Sequence, residues 1–342
     1  MAPRAPCAQN WSSSPQMVLF STHSIGALVL PLHLFGAFCI LRKTPSSMSS
    51  VKWTVLNLHF WNTVVDLNLN VFVVPCLLVP SVSGYLVGLL TLFGGNTMFF
   101  KNTQPVSVVC FSTTMIFENR FYILIANKTR WTVIRRFWIP ANFLFCVVYL
   151  APMALQVPDQ KMAREHVLQS LPCVPEFLND VEIIVPTLDN SVFILTAVVF
   201  GVVIFGQLVI FNVIILFHLS SNFGANVLSS DTRRLQKNLL KALILQTGIP
   251  FVYLLLPVAL AGIAIHESYF SLLLNNLLVI VVSFHGFVST SSMILIHNPY
   301  RKTVISLFKC NTSQSTTVTS HPMPSTSTGS TRFQSFIFRN AI

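Results

Sequence analysis

Asp66 is an isolated acid in a long apolar stretch, surrounded at helical spacing by groups that can hydrogen-bond a carboxylate. Asn62 falls one turn before it, His59 two turns before it and Asn70 one turn after it, on roughly one face. If that stretch crosses a bilayer, a central Asp costs about 2.5–3.5 kcal/mol and must face protein and find partners. His285, in a later apolar stretch, stands about 11 residues or roughly 16 Å from that helix's inner end, a depth comparable to Asp66. The three residues Asn62, Asp66 and His285 therefore read either as a switch or ion site or as a satisfied packing network. A second charged group is Glu118-Asn119-Arg120. Glu118 and Arg120 are two residues apart and do not face each other on a helix, so Arg120 is free to meet another element. The alternative is a snorkelling arginine that anchors a helix end. Pro250 and Pro257, seven residues apart, read as a hinge or as simple shape, and Gln246 lies one turn before Pro250.

No constellation for covalent chemistry accompanies these groups. His266-Glu267 lacks the second histidine of a zinc-protease helix, and there is no G-x-S-x-G, P-loop or dinucleotide glycine pattern. The seven cysteines (7, 39, 76, 110, 146, 173 and 310) form no C-x-x-C pair. Neither a cofactor, a bound metal nor an enzymatic activity is expected.

The elements that position these residues follow from composition. Of 342 residues 53% are hydrophobic and 9% charged, against roughly 25% charged in soluble proteins. A soluble fold and a disordered chain are both excluded. The apolar stretches are continuous, which favours membrane helices over barrel strands. Seven can be drawn: 17–41, 51–79, 98–125, 134–157, 191–217, 239–265 and 271–296. The expected fold is thus an all-α membrane protein, a seven-helix bundle. The run at 84–95 is too short and glycine-rich for a span and reads as an outer loop packed on the helices. The first stretch is too long for a cleaved signal peptide. Prolines 31, 75, 105, 140 and 152 also fall in these stretches, where neighbouring helices re-satisfy freed carbonyls.

Loop charges set the orientation. Basic residues gather after the first span (Arg42, Lys43, Lys52), the third (Lys128, Arg130, Arg135, Arg136) and the fifth (Arg233, Arg234, Lys237, Lys241), and in the tail. Residues 158–190 carry six acids against Lys161 and Arg164. Basic loops stay cytoplasmic, so the N-terminus is expected outside and the C-terminus inside. The net charge of +11 belongs to this asymmetry. No basic run interleaves with aromatics, so nucleic acid is not an expected partner. The sequon at Asn10 then lies outside, as a glycosylation candidate.

The chain is expected to divide into an extracellular N-terminus (1–16), the bundle (17–297), a juxtamembrane helix (298–310) and a Ser/Thr-rich disordered tail (311–342). Val304, Ile305 and Phe308 share a helical face, with Arg301, Lys302 and Lys309 as its basic complement, so membrane lipid is an expected contact. Pro299 ends the last span. Cys310 is a palmitoylation candidate at a juxtamembrane position. The tail reads as a phosphorylation target or as an inert linker.

Several stretches resemble the nematode chemoreceptor family called serpentine receptor class H. They are LHLFGAFCILRKTPSSMSSVKWTVLNLHFWNTVVDL (32–67), IFENRF (116–121), PDQ (158–160), LPCVPEF (171–177), LQKNLLKALILQTGIPF (235–251) and SFHGFVSTSSMILIHNPYR (283–301). The likeness runs from about residue 20 to 310, and the FENR element distinguishes it from the sister class I. The resemblance implies a chemosensory G-protein-coupled receptor in the plasma membrane, placed in sensory-neuron cilia. An external small molecule, not identifiable from composition, would bind it, and its inner face would activate a heterotrimeric G protein. Glu118, Asn119 and Arg120, with Pro299, Tyr300 and Arg301, would form the coupling and switch region. One departure is that residues 95–105 hold no cysteine, where rhodopsin-like receptors anchor a disulfide. Cys7–Cys173 becomes the candidate bridge, Cys76 is a rival partner, and a free Cys173 stays open. The competing function is a ligand-gated channel or transporter subunit, which would need a polar or charged ring along a span.

Overall fold

The computed structural model describes residues 10–93, 98–126, 130–220 and 229–313, with side chains at all of these but 47, 92, 93, 98–104, 126 and 308–313. The chain divides into one unit of residues 1–303 and a second of 304–342. The first holds the bundle.

Among the described residues six helical stretches are long and apolar enough to cross a membrane: Pro15–Lys43, Pro105–Ile125, Trp131–Ala154, Asn190–Ser220, Ser230–His266 and Leu272–Ile296. A further helix, α2 (Ser49–Leu67), continues as a π-helical turn over Asn68–Phe72. It is long enough to span but less apolar, because it carries His59, Asn62, Asp66 and Asn70. The helices α1 (Pro15–Lys43), α3 (Met98–Phe121), α4 (Trp131–Val148), α7 (Asn190–Ser220) and α8 (Ser230–His266) are each one continuous rod. A short α5 (Ala151–Ala154) extends α4 past a turn. The expected fourth span, 134–157, is therefore interrupted at 149–150. The last span is two helices, α9 (Leu272–Ser283) and α10 (His285–Ile296). It is followed by α11 (Asn298–Ser313), whose side chains from 308 on lie outside the described residues, Cys310 among them.

Local chemistry explains the ends of α1. Ser14 caps it, accepting from Met17 N at 3.3 Å, with Pro15 in the first turn. Arg42 and Lys43 close it, where cations suit the helix dipole. In the bundle α1 packs on α2, α9 and α10; α3 packs on α2, α4 and α7; α8 packs chiefly on α10.

Two expectations are corrected here. The second span ends at Phe72 instead of 79, because Pro75 cannot donate a helical hydrogen bond and disfavours helix before it. The fold is also not purely helical. Residues Pro75–Leu77 (β1) pair antiparallel with Gly84–Leu86 (β2), with Cys76 opposite Tyr85. Gly84 also exchanges backbone hydrogen bonds with Ile184 at 3.1 and 2.8 Å. The run at 84–95 is thus not a span as far as it is described, up to residue 93.

At the hairpin end, α6 (Gln160–Ser170) joins this sheet in one apolar core. Asp159 caps α6, and its buried face presents Ala163 and Val167, one turn apart. Val74, Cys76, Leu78, Tyr85, Leu171, Leu178, Ile183 and Val185 pack with them onto Val18 of α1 and Val279 of α9. The Gln160 amide donates to Val185 O and accepts from Val185 N, both at 3.0 Å. Burial pushes the Cys76 thiol up to about 12, and raises the Tyr85 phenol beside it, so both stay protonated at neutral pH. Cys76 is a free thiol. Cys173 is disulfide-bonded. This removes Cys76 as its partner, and Cys7 lies outside the described residues.

Candidate functional site

Asp66 is 3% exposed, and its nearest charge partner comes from a helix that the spacing argument did not consider. His33 of α1 places Nε2 2.6 Å from Asp66 Oδ2. An ionised carboxylate only accepts, so Nε2 donates. The other ring nitrogen, Nδ1, lies 3.0 Å from Thr290 Oγ1 of α10. His59 Nε2 donates to the His33 backbone oxygen at 2.9 Å, and the two rings meet edge-on at 5.3 Å. Asp66, Thr290 and His59 thus hold both the ring and the backbone of His33. Asn62 Nδ2 donates to Ser289 Oγ at 3.1 Å, and Asn70 Nδ2 to Ser283 O at 3.3 Å.

His285 is buried close by, but its side chain does not take the Asp66 carboxylate. Asp66 and Asn70 instead meet the backbone of the last span, while Asn62 meets the Ser289 side chain. Asn70 holds the Ser283 carbonyl, and a Cβ built on Gly286 would coincide with the Asp66 carboxylate. The break between α9 and α10, at Phe284, falls between these two contacts. Asn62 Oδ1, Asp66 Oδ1, Asn70 Oδ1 and Ser283 Oγ are buried with no hydrogen-bond partner among the described residues, which leaves this face capacity for further hydrogen bonds. Among the described residues no group of His, Cys, Asp or Glu is placed to hold a metal ion. Sequence reasoning missed His33 and Gly286; the one available signal was a lone histidine in the middle of the apolar run 25–41.

At the other end of the bundle, Glu118, Asn119 and Arg120 fan out to three helices, as successive helical residues 100° apart must. Glu118 is fully buried and faces α4. It accepts from Trp131 Nε1 at 2.9 Å and from Arg135 Nε at 3.1 Å, and Arg135 Nε also stands 2.9 Å from its other oxygen as an ion pair. Arg135 also stacks over the Tyr122 ring at 4.4 Å. Asn119 Nδ2 donates to Ser50 O of α2 at 2.9 Å. Arg120 faces α8, where Nη1 donates to Gln236 Oε1 at a long 3.4 Å. It is 2% exposed, and its Nε and Nη2 are buried with no acceptor among the described residues. A snorkelling anchor would reach water, and Arg120 does not. An unsatisfied buried cation is costly, so this end holds binding capacity for an acceptor.

Pro250 and Pro257 are both buried inside α8, which stays one helix through them. Gln246 Oε1 accepts from His297 Nε2 at 2.8 Å, at the end of α10. The His297 ring meets Tyr300 at 5.5 Å, and the Tyr300 hydroxyl lies 2.8 Å from Thr44 Oγ1 beyond α1. Pro299 sits in the first turn of α11, where its missing N–H costs nothing, and Arg301 bonds Asn298 Oδ1. Asn10 is exposed at the start of a turn over Trp11–Ser13.

A family model described as serpentine type 7TM GPCR chemoreceptor Srh matches residues 13–310. The chain is 27% identical over 304 residues to serpentine receptor class H-72 of Caenorhabditis elegans, covering 86% of each chain. These are receptors, not enzymes. A match spanning every transmembrane helix, the hairpin-end core and both buried polar groups means that the chain belongs to the serpentine class H chemoreceptor family of multi-pass membrane proteins.

Proposed function

We propose that this protein is a chemosensory G-protein-coupled receptor of the plasma membrane, in which an external small molecule shifts the bundle and the inner end activates a heterotrimeric G protein. The observation that carries the reading is Arg120, a buried guanidinium with two nitrogens that find no partner among the described residues, at one end of the bundle. Its neighbour Glu118 is neutralised by Arg135 and leaves it free. A G protein segment offering carbonyl or carboxylate oxygens fits that arrangement. The positive-inside asymmetry puts this end in the cytoplasm and the hairpin end outside, with Asn10 glycosylated and Cys7 bonded to Cys173. Sensory cilia are the site of action that membership of a chemoreceptor family supports. The amphipathic start of α11 with Cys310 acylated would add a two-signal anchor on the inner leaflet.

Cells carrying a supplied G protein and a calcium or second-messenger reporter test the reading. Arg120→Ala should abolish ligand-evoked signal while surface expression stays near wild type, since it removes an unsatisfied buried charge. Signal lost only in proportion to surface expression would assign Arg120 a structural role. Ligand-evoked current independent of any G protein would favour a channel.

A further inference from the structure

The long helix α8 is joined to the last span on both sides of Pro250. Three residues on, Tyr253 donates its hydroxyl to Val281 O of α9 at 2.8 Å. Four residues before, Gln246 accepts from His297 at 2.8 Å, just past α10. Residues 246 and 253 are two turns apart and share a face. Each tie reaches a different half of the broken last span, so halves are matched to halves across the bundle.

Pro250 lies between the ties. It has no N–H, so the Gln246 carbonyl loses its intrahelical donor, and the helix is softest over this turn. The Gln246 side chain supplies a tie to the last span at that weak point, 6% exposed and shielded from competing water. Below it, the rest of α8 is held to α3 by the long Arg120–Gln236 bond and to α7 by Arg233 on the Leu219 carbonyl.

We propose that Gln246 is a positioning residue for signalling: its bond to His297 keeps the Ser230–Gln246 half of α8 closed on the last span, and its loss lets that half swing about Pro250 while Tyr253 holds the other half. This rests on the receptor reading only for its consequence, not for its geometry. Gln236 lies fourteen residues, about 21 Å, from Pro250. A kink of about 20° at the proline would therefore carry it about 7 Å.

Arg136 on α4 and Arg234 on α8 are both exposed, so bio-orthogonal spin labels at those positions read the separation in full-length receptor in lipid nanodiscs. Residue 234 lies sixteen residues, about 24 Å, from Pro250, so Gln246→Leu, which cannot accept, should lengthen the mean separation by about 8 Å. Gln246→Glu, which still accepts from His297, should return it to the wild-type value. His297→Phe removes the bond from the other side and should match Gln246→Leu, with no further lengthening in the double variant. An unchanged separation in folded, monodisperse Gln246→Leu or His297→Phe overturns the proposal, as does lengthening in Gln246→Glu equal to that in Gln246→Leu. Basal signalling in the reporter cells should rise with the separation. A longer separation without that rise would support the latch and count against the receptor reading.

Discussion

At the scale of single residues, the mid-bundle pair is a charge-assisted hydrogen bond in a site closed to water, and its two members are not equivalent. Removing His33 leaves a carboxylate buried without its partner, whereas Asp66→Asn leaves a neutral amide that still accepts from His33. His33→Ala should therefore destabilise the purified protein by about 3–5 kcal/mol, and Asp66→Asn by only about 1 kcal/mol. Thermal inactivation in one detergent measures both. The double variant should recover most of the His33→Ala loss; additive losses would show that the pair is not coupled. Asp66 was legible in the sequence because an acid in an apolar run must be satisfied. His33 was not, because the rule that groups residues by helical spacing acts within one helix, and this partner comes from another. Glu118 and Arg120 were likewise visible as a charged group. Which of them is neutralised, and by Arg135 of α4, depends on packing that spacing does not encode.

At the scale of elements, two contrasting glycines expose what holds α2 against the last span. A Cβ at Gly286 would occupy the Asp66 carboxylate, while one at Gly206 of α7 meets nothing within 4 Å. Gly286→Ala should cost about 1–3 kcal/mol or more by forcing the helices apart. Gly206→Ala should instead stabilise by about 1 kcal/mol through helix propensity. Unfolding midpoints in matched detergent give the comparison, and a neutral Gly286→Ala would remove the close approach from the account. The ends of the elements follow the same division. Pro75 announced the end of the second span, yet a 29-residue apolar window hid it, since hydropathy does not distinguish a buried hairpin strand from a helix turn. The break at Phe284 has no proline or glycine at its own position; the side chains of Asn70 and Asp66, acting from α2, coincide with it.

At the scale of the whole molecule, the core at the hairpin end closes over α1 and α9, and the basic loops gather at the other end. The proposed orientation rests on that asymmetry and is open to direct measurement. Intact cells should show Asn10 glycosylated by a glycosidase shift, and a C-terminal tag should resist external protease; cleavage of the tag from outside would invert the topology. Composition and the continuity of the apolar runs pointed to a membrane chain with seven helical segments, of which six are apolar enough to span by themselves and the seventh is the more polar α2, because each span must satisfy its own backbone in lipid and so leaves a long apolar run. They also exposed the polar residues that need partners, because an unsatisfied charge there is costly wherever the fold puts it. The choice of partners was settled only by tertiary structure. His33 for Asp66, Arg135 for Glu118 and His297 for Gln246 are contacts between different helices, and they depend on the rotation and depth at which each rod packs. Hydrophobic periodicity carries a helix's inward face but not the register of its neighbour, so those pairings exist only once the bundle is assembled.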